Sequence, residues 1–174
     1  MMGRVFLTLA VFLFGSSYAL AEGLYAGAGI GVTNVETPNS SFEDRPTSWQ
    51  VLAGYEFNDI FALEGSYVNS GSAKDPDVDE NLEAEFSGYV MSVVLHTDMT
   101  TPNLFTKLGY FNGEQEVSVQ DITFDDDVDG FTAGLGFRHK VANNFAIRGE
   151  ANWYESDFDN LWSVGIGVEF SFGF

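Results

Sequence analysis

The 174-residue chain has no cysteine, which excludes disulfide bridges, thiolate-held zinc and thiol catalysis. Basic residues are scarce. Seven Lys+Arg stand against 26 Asp+Glu, a formal net charge of −19, which is the wrong sign for a nucleic-acid footprint. Only four prolines interrupt the chain, and nothing after residue 21 offers the ~20 consecutive apolar residues of a membrane-spanning helix. Aromatics, by contrast, are abundant at 16%, with 17 Phe among them, so the chain is no solvating disordered tail. Nineteen glycines suit closely packed strands better than a helical bundle. The length supports one domain with a real core.

The first segment reads as an address. Arg4 precedes the apolar run Val5 to Phe14, and Gly15, Ser16 and Ser17 lead to the small-x-small site Ala19-Leu20-Ala21. A basic start, a short apolar stretch and an A-x-A site describe a secretory signal peptide, too short for a transmembrane anchor. Residues 1–21 are therefore expected to be removed, leaving a single domain over residues 22–174 that begins at Glu22.

From there hydrophobicity alternates with period two. Leu24, Ala26, Ala28, Ile30 and Val32 share one face, with Tyr25, Gly27, Gly29 and Gly31 on the other. Similar alternation runs through 49–57, 61–68, 89–96, 104–111, 131–138, 145–153 and 162–174, predicting eight strands of about ten residues. Phe105 and Phe111 break the pattern by falling on the polar face. In a soluble sandwich or lipocalin-like barrel the apolar face is the core; in a membrane barrel it meets lipid and the polar face lines the interior. Three features favour the membrane. Connections at 58–60, 97–102 and 139–144 are short, whereas 34–47, 70–83 and 112–129 read as long loops. Trp49, Tyr67, Trp153 and Trp162 lie at the long-loop ends of the apolar face, and Phe57, Phe61, Phe145, Phe172 and Phe174 at the short-turn ends, as two lipid–water interfaces require. The apolar face of these segments carries no charge. The expected fold is an all-β, eight-stranded, antiparallel up-and-down transmembrane barrel.

The opening Leu24-Tyr25-Ala26-Gly27-Ala28-Gly29-Ile30-Gly31, the hairpin from Gly54 to Tyr67 and the ending Val168-Glu169-Phe170-Ser171-Phe172-Gly173-Phe174 resemble the OmpA-like outer membrane β-barrel family of Gram-negative bacteria. The likeness spans residues 22–174 and departs from larger members in lacking a peptidoglycan-binding domain after Phe174. It implies an outer-membrane location and an interior network of acids and bases. It is specific for architecture and weak for activity, because this fold hosts anchors, adhesins, narrow channels and a few enzymes.

Candidate functional residues fall in two places. Glu56, Glu64, Glu150 and Glu169 share the inward face with Lys107, Arg138 and Arg148. Eight strands leave a lumen that side chains just fill, so these charges are expected to pair across it as a plug; the competing arrangement is a narrow pore. The predicted loops hold most of the remaining charge: three acids in 34–47, six in 69–85, seven in 112–130 and three in 155–160, against only Arg45 and Lys74. This acidic surface would repel polyanions and attract cations, including the divalent ions between lipopolysaccharide phosphates. Asp125, Asp127 and Asp129, followed by Gly130, imitate half of a calcium loop, but the twelfth position is Gly136 rather than Glu. They make a weak loop candidate for a metal, with Asp75, Asp77 and Asp79 a fainter one. The two histidines, His96 and His139, fall at the short-turn end with no Ser on the same strand face, so no catalytic residues and no cofactor are expected. The sequence thus points to a non-enzymatic outer-membrane barrel whose expected work is structural or surface-interactive, with a narrow porin-like channel for small solutes or cations as the alternative. Expected partners are outer-membrane lipids and lipopolysaccharide and, during biogenesis, periplasmic chaperones and the barrel-assembly machinery, with the barrel itself a monomer.

Overall fold

Alternating inward and outward side chains carry the chain through nine strands: β1 (Leu24–Val35), β2 (Thr47–Glu56), β3 (Phe61–Asn69), β4 (Ala73–Lys74), β5 (Leu82–His96), β6 (Asn103–Val119), β7 (Ile122–Lys140), β8 (Phe145–Ser156) and β9 (Asn160–Ser171). The computed structural model describes residues 23–35, 46–71, 73–74, 82–97, 103–119, 122–156 and 160–172, with backbone alone at 35, 73–74, 82–84, 117–119, 122–125, 156 and 160. Eight long strands form the ring. Each pairs antiparallel with its neighbours, β1 meets β9, and β3 meets β5 to close the sheet. The two-residue β4 pairs with the outer part of β5. Closure leaves the eight long strands no free edge where they pair, which is what a bilayer demands of backbone N–H and C=O groups.

The apolar surface faces outward. Ile30, Leu108, Phe131, Leu135 and Ile166 are 57–68% exposed, while inward-pointing Glu64, Phe105 and Phe111 are at most 2% exposed. A water-soluble barrel would show the reverse; here the outer face is matched to lipid. Rings stack into belts at each end of it. At one end Trp49, Tyr67 and Tyr89 follow one another at centroid spacings of 5.6 and 5.1 Å, Tyr110 meets Phe131 at 5.7 Å, and Trp153 lies opposite Trp162. At the other, Tyr55, Phe57 and Phe61 form one chain of contacts and Phe145, Phe170 and Phe172 a second. Tyr89, Tyr110 and Phe131 complete the first belt although sequence reasoning did not assign them to it. Phe174 lies outside the described residues.

Tight turns hold the Phe-rich end. In the β2–β3 connection Asn58 Oδ1 accepts from the backbone N–H of Ile60 at 2.9 Å and of Phe61 at 2.8 Å, an Asx turn. At the opposite, Trp-bearing end, Gly71, at φ 68°, adopts a conformation that favours glycine, and a Cβ there would lie 2.3 Å from the carbonyl oxygen of Thr47.

One expectation needs correcting. Residues 112–129 are not a long loop. The β6–β7 ladder continues unbroken from Asn103↔Arg138 to Val119↔Ile122, and β5 extends beside it as far as Leu82↔Val119. These strands are 15, 17 and 19 residues long, whereas about 9–11 suffice to cross a bilayer. The surplus stands beyond the Trp/Tyr belt as a three-stranded extension. Sequence reasoning missed it because strands above the lipid have no apolar face to betray them. The smaller connections shift too: 34–35, 47, 82–83 and 139–140 belong to strands.

Candidate functional site

The lumen is the site, and register decides who enters it. On each long strand the inward residue is every second one, so β3 contributes Glu64, β6 Lys107, β8 Arg148 and Glu150, and β9 Glu169. All five are buried. Arg148 is the hub. Its Nη1 lies 2.6 Å from Glu64 Oε2 and 3.4 Å from Glu169 Oε2; its Nη2 lies 2.9 Å from Glu150 Oε2. Its Nε also donates to Glu150 Oε2 at 3.0 Å. Lys107 Nζ bridges Glu64 at 2.8 Å and Glu150 at 3.4 Å. Nearer the short-turn end Arg138 joins Glu169, at 2.5 Å, to Glu56, and donates to Ser171 Oγ at 3.1 Å. The structure therefore brings all seven charged candidates into one connected network, four acids against three bases. Shared ligands of this kind are what makes burial of charge tolerable, since an unpaired ion in the same place would carry a penalty of several kcal/mol.

Two uncharged members complete it. The Tyr25 hydroxyl donates to Glu64 Oε2 at 2.9 Å, and the Gln50 amide donates to Glu150 Oε1. Sequence reasoning placed both residues on the inward face without giving either a partner.

Apolar clusters flank the Arg148 centre of the network, while its Arg138–Glu56 end lies nearer the short turns, where the Glu56 side chain is partly exposed. Towards the short turns Tyr25, Leu52, Ala62, Val94 and Phe105 form one buried cluster; towards the long-strand end Phe86, Val90, Phe111, Val128 and Tyr154 form another. The Phe105 ring lies under the Arg148 guanidinium, 4.5 Å from centroid to Cζ, so the cation is capped by an aromatic face. Phe105 and Phe111, the exceptions to alternation, are thus lumen filling. Three lumen aromatics share a device: each lies opposite a glycine on the adjacent strand, Tyr25 on Gly54, Phe105 on Gly136 and Phe111 on Gly130. A Cβ on Gly54 would lie 2.3 Å from the Tyr25 ring, one on Gly136 2.4 Å from the Phe105 ring, and one on Gly130 3.1 Å from the Phe111 ring. Each ring lies down across the lumen because its neighbour lacks a side chain.

The filling is incomplete on one side. Ringed by β1, β2, β3, β5, β8 and β9, above Glu150 and Gln50, a vestibule of about 490 Å³ including its open mouth is bordered by Thr33, Ser48, Asn152, Tyr154 and Phe86.

The other candidates separate. Asp125, Asp127 and Asp129 sit on extended strand β7, opposite Glu116, Glu114 and Asn112, rather than in a loop, so the loop-held metal site loses its premise. Asp127 and Asp129 are exposed, the Asp129 carboxylate accepts from the Tyr110 hydroxyl, and the side chain of Asp125 is outside the described residues. Among the described residues no group of three His, Asp or Glu is arranged to hold a metal ion. Asp75, Asp77 and Asp79 lie outside the described residues, as do residues 1–22 with the Ala19-Leu20-Ala21 site. His139 is exposed; His96 is buried with its ring 5.9 Å from that of Phe105 and neither nitrogen hydrogen-bonded.

A closed ring of eight strands, apolar outside and ion-paired within, defines a transmembrane β-barrel of the outer-membrane type. Residues 6–174 match the family model described as outer membrane protein beta-barrel domain, and the chain belongs to that family. By sequence no curated protein matches it. Solved structures give the same fold at low identity. The attachment invasion locus protein Ail of Yersinia pestis is 17% identical at a TM-score of 0.65, covering 86% of this chain and 98% of that one. Neisserial surface protein A is 14% identical at 0.71, covering 86% and 97%. The N-terminal β-barrel domain of Pseudomonas aeruginosa OprF is 14% identical at 0.61, again covering 86% and 97%. The protein is accordingly an outer-membrane barrel.

Proposed function

We propose that the protein works as a structural or surface-interacting barrel whose lumen is plugged, so that nothing steadily crosses it. The observation that carries this reading is the stacking inside the lumen: an ion-paired layer centred on Arg148 lies between two buried apolar clusters. Opposed charges in so dry an interior attract strongly and gain little by separating. In the same reading the chain is exported with residues 1–21 cleaved as a signal peptide. Periplasmic chaperones hand it to the barrel-assembly machinery, which reads the alternating Phe170, Phe172 and Phe174. It resides as a monomer among outer-membrane lipids and lipopolysaccharide. It has no catalytic role: His96 is packed against Phe105, and His139 stands exposed at the short-turn end.

The outer surface is the interactive part. Glu114, Glu116, Asp126, Asp127 and Asp129 are exposed on the β6–β7 extension. One solved structure of Ail contains the heparin analogue sucrose octasulfate; the acidic extension here has the wrong sign for such a polyanion and favours cations or basic partners. The deciding experiment is conductance of the refolded barrel in planar bilayers. The plugged reading expects no steady current, only rare brief openings. A steady single-channel conductance would replace it with the narrow porin-like channel.

A further inference from the structure

The two edges of the β5–β6–β7 extension are unlike. On the β5 side, β4 pairs Ala73 with Ala84 and Lys74 with Glu83. On the β7 side the ladder with β8 stops at Gly130↔Ser156, whereas β7 itself runs on to Ile122. β8 cannot follow it further, because Glu155 already pairs with Asn160 of β9 and only residues 156–159 connect the two strands. Ile122 to Asp129 therefore have β6 on one side and, among the described residues, no strand on the other. At ~3.3 Å per residue this edge is about 26 Å long, and an edge left so is a template for another chain. It starts beside the belt residue Phe131 and runs away from the lipid, so its free N–H and C=O groups face water.

Charge decides what can add to it. Asp126, Asp127 and Asp129 are exposed on this stretch, and Glu114 lies directly opposite Asp127 on the neighbouring strand. Among the described residues the bases stand elsewhere: Lys107, Arg138 and Arg148 in the lumen, Lys140 at the short-turn end and Lys74 on the opposite edge. A second copy of this chain would bring the same acids to the edge, and like charges directly opposite one another destabilise a strand pair. A strand with Lys or Arg at every second position does the reverse. Side chains two residues apart share a face, so such a strand sets bases beside both Asp127 and Asp129 while its backbone fills the free ladder positions.

We propose that the outer edge of β7, from Ile122 to Asp129, takes up an extended basic segment of another protein as an added strand. Backbone hydrogen bonds hold the segment and the alternating bases select it. The inference deepens the surface-interacting reading and rests on it. Conductance tests the plugged lumen and peptide binding tests the edge, so either can fail alone.

The test is fluorescence anisotropy of labelled peptides titrated with the refolded barrel in phosphatidylcholine nanodiscs, empty nanodiscs serving as the blank. Three peptides are compared: one alternating lysine with threonine or valine, the same peptide N-methylated at alternate residues, and its glutamate-for-lysine counterpart. The lysine peptide should bind saturably, N-methylation should weaken it at least tenfold, and the glutamate peptide should not bind. Amide hydrogen exchange over Ile122 to Asp129 should slow at least tenfold in the complex. Asp127→Asn combined with Asp129→Asn should weaken the lysine peptide at least fivefold; the N-methylated comparison needs no variant and stands if that one does not fold. Equal affinity for the N-methylated peptide, which would mean attraction by charge alone, unslowed exchange along the edge, binding of the glutamate peptide, or dimerisation of the barrel through this edge overturns the proposal.

Discussion

Truncating Arg148 to Ala removes the hub of the lumen network. Glu64 keeps Lys107 at 2.8 Å and the Tyr25 hydroxyl at 2.9 Å, and Glu169 keeps Arg138 at 2.5 Å. Glu150 is left with the longer Lys107 contact at 3.4 Å and the Gln50 amide. Four acids then face two bases, and the Phe105 ring loses the cation above it. Removing one partner of a buried ion pair typically costs ~3–5 kcal/mol. The vestibule lets water reach the neighbourhood of Glu150, so the lower end, about 3 kcal/mol, is expected. Urea unfolding of the refolded barrel in lipid vesicles, read by gel mobility and tryptophan fluorescence, measures it. Pairing Arg148→Ala with Glu150→Gln isolates the coupling: the double variant should recover about 1 kcal/mol or more relative to additivity, since it removes the stranded acid. In planar bilayers the single variant should conduct cations more often than wild type. A change in stability below about 1 kcal/mol, together with unaltered conductance, would refute the network as the plug.

Three further outcomes follow from the geometry. Arg at outward-facing Val93 or Ile166 should destabilise the barrel by roughly 2–4 kcal/mol, and unfolding at the wild-type midpoint would contradict the lipid-facing assignment. Gly136→Ala drives a methyl into the Phe105 ring and should cost about 1–3 kcal/mol as overpacking; Gly136→Ala combined with Phe105→Leu should restore part of it, and a neutral single variant would show that the ring is free to move. Intact mass of the protein from the outer-membrane fraction should correspond to a chain starting at Glu22, and retention of Met1 would contradict signal cleavage.

The membrane-embedded part of the fold was legible because lipid imposes a strict rule. Every second residue from Leu24 to Val32 or from Trp162 to Phe170 must be apolar, so alternation alone marks the strands and puts Glu64, Lys107 and Arg148 on the other face. Above the lipid that rule lapses. Glu114, Glu116, Asp127 and Asp129 sit in a ladder as regular as the one below, yet nothing in their hydrophobicity separates strand from loop. Within the lumen the sequence named the ions but not their geometry. Tyr25 and Gln50 looked like ordinary inward residues, because their partners lie 39 and 100 residues away. Phe105 and Phe111 looked like errors in the pattern. Their place becomes intelligible only with the register that sets Gly136 and Gly130 opposite them.

The continuous β5–β6–β7 ladder has a consequence for how the exposed tip responds to its medium. Glu114 stands directly opposite Asp127 on the outer face, with Glu116 and Asp129 two residues along on their own strands. Like charges directly opposite one another destabilise a strand pair, by up to about 1 kcal/mol. Because these are solvent-exposed, mobile ions set the size of the repulsion: the screening length is ≈ 8 Å at 0.15 M ionic strength and 30 Å at 0.01 M. The embedded barrel is insulated from that change and the tip is not. Dilution of salt therefore strains the ladder beyond the belt while the ring below keeps its register, so the extension is a stalk graded by ionic strength on a fixed base.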